Sequence, residues 1–342
     1  MNAVTSQVAL KRGTNISHWL SQSKERGAVR RARFTHDDVK RLAALGLTHL
    51  RLPVDEEQLW SLDNQPDAEA FDLLDQAIDW IFDAGMNAVI DLHILRSHHF
   101  NTAEKSLFAD PAAAERFAQC WRDLSARFHA RPNNRLAYEL MNEAVAEDPA
   151  DWNRVLRVPY NALRELEPKR SIVIGSNMWN QCYQYAFLDV PANDPNIILT
   201  FHYYDPMLVT HYRAPWTPDS AIYEGPIQYP GLPVAQEVFN ELPLEVQRRC
   251  ARYNNFTSPD AMRAALLWPL AVRARTGLPL YCGEFGVYSR APADIRRAWS
   301  IDFRRVLEEF DISWANWDFR GDFGLYDKQN NETVVLDALI RA

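Results

Sequence analysis

Eight short β-rich runs recur along the 342 residues, most of them followed by a longer stretch with helical spacing. The runs are 13–18 (GTNISH), 48–54 (THLRLPV), 86–92 (MNAVIDL), 136–141 (LAYELM), 171–176 (SIVIGS), 197–202 (IILTFH), 279–284 (PLYCGE) and 312–317 (ISWANW). In 36–45, Val39, Leu42 and Ala43 share one helical face and Gly46 marks the stop. In 68–84 the stripe is Phe71, Leu74, Ala77, Ile78 and Ile81, with Gly85 behind it. Further helical stretches are 112–129, 151–166, 258–276 and 294–309. Several of the runs are almost continuously apolar, as strands become when both faces of a parallel sheet are covered. Eight βα units predict an α/β protein, a closed (β/α)8 TIM barrel.

Length alone admits two domains or one barrel of about 250 residues with insertions. The chain has no linker, internal repeat or low-complexity tract, so we read 1–342 as a single catalytic domain. One connection stands out. Residues 203–257, rich in Pro, Tyr and Trp, are too long for an ordinary loop in a compact domain. They read as a long insertion on the catalytic face after strand 6.

Composition removes whole classes of function. At 47% hydrophobic and 24% charged residues the chain is neither disordered, collagenous nor a coiled coil. Its formal charge is −8, and Arg26–Arg33 is the one dense basic run, most simply a solvated surface, so nucleic acid is not an expected partner. No apolar stretch reaches membrane-spanning length. The N-terminus lacks a charged segment followed by an apolar one, so the chain as it stands reads as cytoplasmic or as exported with its leader removed. Cys120, Cys182, Cys250 and Cys282 are scattered, which argues against a disulfide framework or a structural zinc. Eleven Trp in 12% aromatic residues suit a protein that stacks on the flat apolar faces of sugars.

In a barrel of this kind the active site is built at the C-terminal ends of the strands. Strand 2 carries Arg51, strand 3 ends in Asp91-Leu92-His93, and strand 4 in Asn142-Glu143. Strand 5 is followed by Asn177 and Trp179, strand 6 ends in His202-Tyr203-Tyr204, strand 7 in Glu284, and strand 8 carries Trp317. Glu143 and Glu284 both sit in apolar contexts, where an ionised carboxylate needs donors. Arg51, His93, Asn142, His202 and Tyr204 can supply them. Cleaving a glycosidic bond requires one carboxylic acid to protonate the departing oxygen and one carboxylate at the anomeric carbon. A carboxylate beside an Arg and a Tyr hydroxyl stays ionised, which makes Glu284 the nucleophile and Glu143 the proton donor.

The ordered series LRLPV, DLH, MNE, HYY, GEFG and NWDF resembles the cellulase-like glycoside hydrolases of family 5, from about Gly13 to Tyr326. The resemblance implies a retaining enzyme without metal or organic cofactor, acting on β-linked oligo- or polysaccharides. β-1,4-Glucan or cello-oligosaccharides come first, with mannan and xylan as the alternatives on the same scaffold. It also implies Glu143 as acid/base after an Asn142 that hydrogen-bonds the sugar 2-hydroxyl, and Glu284 as nucleophile held by Arg51 and Tyr204. His93 and His202 orient the site, and Trp317 floors the subsite of the cleaved sugar. The family's usual Asn-Glu-Pro is Asn142-Glu143-Ala144 here.

Other readings of the same residues stand beside these. Glu143 and Glu284 admit a role as structural ion-pair partners, which would leave a non-catalytic glycan-binding barrel. Asp91, His93, His98 and His99 admit a metal-dependent hydrolase, although the chain has no HExxH and the adjacent His98 and His99 diverge on an extended chain. Trp179 and Trp314 are candidates for the core, Trp314 more than Trp179. Trp216 and Trp19 are either sugar platforms or loop anchors. Asp205, Arg320 and Asp322 fall on loops facing the site.

Overall fold

The structure is a computed structural model and describes residues 7–103 and 105–342. All eight strands form, with ends displaced by at most a few residues: β1 (Arg12–Asn15), β2 (His49–Asp55), β3 (Asn87–Ile94), β4 (Leu136–Glu139), β5 (Ser171–Gly175), β6 (Ile197–Tyr203), β7 (Leu280–Phe285) and β8 (Ser313–Asn316). They pair in sequence order and close into a barrel. The pairing is parallel, with Asn15 opposite Arg51, Arg51 opposite Val89, and Val89 opposite Ala137.

Strand alternation then sorts the barrel interior into levels. Val89, Ala137, Val173, Ile198, Tyr281 and Ala315, from six different strands, pack in one buried cluster with Val8 and Leu10. A cluster that collects one side chain from each of six strands of a closed barrel fills its interior. Two residues further along each strand the same inward parity recurs. It brings Asp91 on β3, Glu139 on β4, Thr200 on β6 and Gly283 on β7 to a second level. That level is polar where the first is apolar. Close quarters inside β1 and β2 dictate Gly13, because a Cβ there would lie 2.4 Å from His49 Nε2.

The helices start and stop for local reasons. His36–Ala44 opens on a capping box between Thr35 and Asp38. Ala68–Asp83 is capped by Asp67, and it buries the stripe read from the sequence: Phe71, Leu74, Ala77, Ile78 and Ile81. Pro111–Phe128 and Pro149–Leu166 begin with an Asp cap followed by Pro at the first turn. The helix expected over 258–276 divides into Pro259–Ala265 and Leu267–Thr276, and Ala293–Glu309 follows β7. Among the described residues no helix is long and apolar enough to cross a membrane, and the four cysteines are buried free thiols.

The arginine run corrects its sequence reading. Gly27–Arg33 is a helix, and Arg30 is buried rather than solvated, paired with Asp67 and Glu69. A guanidinium that donates to several carboxylates at once is the charged group best suited to such burial. Trp19, buried with Nε1 donating to the Arg30 carbonyl, is a core residue of the same region. Trp314 is buried as well.

Contacts divide the chain into two compact units. The first runs to His202 and adds Trp268–Gly283 and Ser313–Ala315, so it holds β1–β5 and most of β6–β8. The second comprises Tyr203–Leu267, Glu284–Ile312 and Asn316–Ala342. After β6 it carries the short helices Met207–Thr210, Pro218–Ala221, Gln236–Glu241 and Leu244–Cys250.

Candidate active site

In the first unit the polar level of the barrel is organised by Arg51. Its Nε and Nη2 donate to the two oxygens of Glu139 at 2.8 and 2.9 Å. Nη2 also reaches Asn142 Oδ1 at 2.9 Å and Asp91 Oδ2 at 3.0 Å, while Nη1 reaches Asn15 Oδ1 at 2.8 Å. Asn15 passes the contact on, donating to the Gly283 carbonyl at 2.9 Å. Asp91 Oδ2 lies 2.7 Å from His93 Nδ1, so Asp91 fixes that ring as well. Burial pushes the Asp91 and Glu139 carboxyls up, against the pull of the Arg51 guanidinium beside them.

β4 ends at Glu139, two residues short of the expected strand end at 141, and Asn142 and Glu143 lie in the loop beyond it. Glu143 has φ of 41°, a left-handed conformation uncommon for a residue with a Cβ. Three groups hold the following residues. Val145 N–H donates to His98 Nε2 at 3.2 Å, the Asn177 amide pairs with both backbone groups of Ala146, and Trp179 N–H donates to the Ala144 carbonyl. His98, a candidate metal ligand by sequence, serves here as an acceptor for the loop behind Glu143. Burial pushes its ring down to about 3, so it stays neutral.

Glu143 Oε1 lies 2.9 Å from His202 Nδ1. Burial, followed by the charges of Arg51 and His93, holds the His202 ring well below the usual histidine range. A neutral imidazole carries one N–H. The Asn180 amide nitrogen approaches His202 Nε2 at 3.4 Å, which leaves the proton on Nδ1, donated to Glu143. Trp179 is half-buried, its Nε1 donating to the Phe100 carbonyl at 3.2 Å.

In the second unit Glu284, the fifth residue of β7, accepts a hydrogen bond from Tyr204 Oη at 3.1 Å and is 5% exposed. Tyr204 packs against a cluster of Ala214, Tyr288, Trp317 and Phe323. Gly286 is required beside it, since a Cβ would come within 2.6 Å of the Trp317 carbonyl oxygen. Trp317 is nearly buried, whereas Trp216 is 46% exposed. The Trp216 indole stands edge-on to Tyr288 at 4.9 Å and near His211 and Phe323. One side of it is therefore anchored and the other open.

The structure brings Arg51, His93, Asn142, Glu143, Trp179 and His202 together in the first unit, and Tyr204, Trp216, Glu284 and Trp317 in the second. Sequence reasoning passed over Glu139, Asn15, Asn180 and Phe323. Glu139 had a usable signal: a lone acid in the apolar run LAYELM, with the same parity as Ala137.

A closed (β/α)8 barrel with a loop glutamate after β4, a glutamate on β7 and hydrogen-bonded polar residues at the strand ends is the architecture of a barrel glycosidase. The sequence profile of the cellulases, glycosyl hydrolase family 5, matches residues 11–322. The chain belongs to this family and is an endo-β-1,4-glucanase-like glycoside hydrolase. It is 30% identical to "Endoglucanase C" of Acetivibrio thermocellus over 94% of both chains. It is 26% identical to "Cellodextrinase A" of Ruminococcus flavefaciens, over 88% of this chain and 83% of that one. The crystal structure of Thermotoga maritima Cel5A in complex with mannotriose aligns with a TM-score of 0.75 and 25% identity, covering 97% of each chain.

Proposed function

We propose that Glu143 and Glu284 are the catalytic pair of a retaining enzyme that cuts β-1,4-glucan and cello-oligosaccharides by double displacement. In the first step the Glu143 carboxylic acid gives its proton to the glycosidic oxygen while the Glu284 carboxylate attacks the anomeric carbon, and the leaving sugar departs with that proton. In the second step the Glu143 carboxylate takes a proton from water, whose oxygen attacks the same carbon and frees Glu284. No step calls for a metal or an organic cofactor.

The observation that carries this reading is that each glutamate lies at or just beyond the C-terminal end of a barrel strand and has its own neutral donor: His202 for Glu143, Tyr204 for Glu284. Donors already aimed at a carboxylate need no reorganisation when charge moves during reaction. Arg51, His93, Asn142 and Trp317 complete the subsite of the cleaved sugar. The open face of Trp216, and Trp179 at the loop behind Glu143, stack on further sugars. In this reading residues 203–257 form the insertion that walls the groove. The preference for glucan is supported by the relatives named endoglucanase and cellodextrinase. The mannotriose complex of the Thermotoga protein keeps mannan as the second substrate to test.

Product analysis on cello-, manno- and xylo-oligosaccharides of defined length tests the proposal. We expect internal cleavage of the cello series, unaffected by chelators. Faster turnover of the manno or xylo series would overturn the substrate assignment. Binding without cleavage of any series would make the protein a glycan-binding barrel, and chelator-sensitive cleavage would move the chemistry to a metal.

A further inference from the structure

Glu139 belongs to the Arg51 network, and the proposed chemistry does not use it. It is fully buried on β4, and both its oxygens are taken by the same guanidinium. Charge balance does not require it, because Arg51 already has Asp91 as a counter-charge at 3.0 Å. A second buried carboxylate costs desolvation, and an apolar residue would fill the barrel more cheaply. What Glu139 adds is geometry. Two parallel N–H···O bonds to a planar guanidinium fix its plane, which a single contact does not.

That plane determines what Asn142 presents. Arginine has donors and no acceptor, so the Asn142 atom facing Nη2 at 2.9 Å is the oxygen. The Asn142 amide nitrogen is then turned away from Arg51, with its two N–H groups available beside Glu143. Were the guanidinium to rotate, the amide would be free to flip and offer an acceptor instead.

We propose that Glu139 is a positioning residue for the glycosidase reaction: it clamps Arg51 so that Arg51 holds the Asn142 amide with its donor nitrogen toward the sugar hydroxyl next to the reacting carbon. This rests on Glu143 being the acid/base, and it adds a residue that touches no substrate. A hydrogen bond to that hydroxyl strengthens in the transition state, so the contribution of Glu139 falls on kcat more than on KM.

The test is a double-mutant cycle of Glu139→Gln and Asn142→Ala, read as kcat and KM on an aryl β-cellobioside, with melting temperature recorded for each protein. Gln keeps the shape but replaces one acceptor oxygen with a donor, so one of the two clamp bonds is lost while Asp91 still neutralises Arg51. We expect Glu139→Gln to melt close to wild type and to lower kcat about tenfold with KM little changed. The double variant should be no slower than Asn142→Ala within about twofold, because the same interaction is lost only once. Multiplying effects would overturn the proposal, as would unchanged kcat, whether or not the melting temperature falls. Should Glu139→Gln not fold, Glu139→Asp, which keeps the charge but withdraws the carboxylate by one methylene, enters the same cycle with the same expected result. Failure of the parent reading is separately visible, as full activity in a Glu143→Gln control.

Discussion

His202 Nδ1 and Glu143 Oε1 lie 2.9 Å apart, and the His202 ring is kept neutral by its burial. The contact is therefore a hydrogen bond from a neutral donor to a carboxyl group, not an ion pair. In the proposed mechanism the same donor serves Glu143 through both halves of the reaction, when it gives up a proton and when it takes one back. His202→Ala removes that donor, and steady-state kinetics should show kcat/KM lowered on the order of tenfold to a hundredfold. Undiminished activity would mean that Glu143 is not held from His202.

The proposed sugar platform at Trp216 lets substrate binding be tested apart from chemistry. Its indole is anchored edge-on to Tyr288 and is 46% exposed, while the donor to Glu284 is Tyr204. Trp216→Ala should raise KM for a long cello-oligosaccharide by about tenfold, the scale of one lost stacking contact, and leave kcat for a small aryl glycoside within about twofold. Equal losses on both substrates would assign Trp216 to the reacting sugar or to the loop's fold.

Most of the fold was legible because strands and helices in a parallel barrel announce themselves twice, through apolar runs and through regular alternation. Where to look for a site was legible for the same reason: strand polarity fixes which end to inspect. Glu139 was not, because the apolar run LAYELM carries the expected strand on to 141, whereas β4 ends at Glu139 itself, stabilised by a partner from β2 that is far away in sequence. Arg30 escaped for a related cause. A run of arginines looks solvated until Asp67 and Glu69, some forty residues on, are folded against one of them. In sequence, Trp216 fits a sugar platform and a loop anchor equally well. The structure gives it both an anchored edge and an exposed one.

Acid stability follows from the buried imidazoles. Burial holds His49 at about 3, against an ordinary value of 6.5, so the folded ring stays neutral where the unfolded ring takes a proton. The unfolded state then binds more protons than the folded one, and stability is lost as pH falls from 6.5 toward 3. The loss is roughly 2 kcal/mol at pH 5 for such a group. His98 acts in the same direction. Asp55, pushed up to about 8 by burial, acts in the opposite direction, losing stability as pH rises from its ordinary 3.8 toward 8. Comparing variants isolates the histidine term. Denaturant unfolding at pH 7.5 and pH 5 should show a smaller loss on acidification in His49→Gln than in wild type. Equal losses would show that His49 takes up its proton in the folded state.

The most direct test of the account is to capture the glycosyl-enzyme. A 2-deoxy-2-fluoro β-cellobioside with a dinitrophenyl leaving group slows both steps but lets the first proceed, so the covalent intermediate accumulates. The account predicts that the intact protein gains the mass of a single fluorocellobiosyl group and that peptide mapping finds it on Glu284. A label on any other residue, or an enzyme that turns over cello-oligosaccharides with inversion and takes no label, would contradict it.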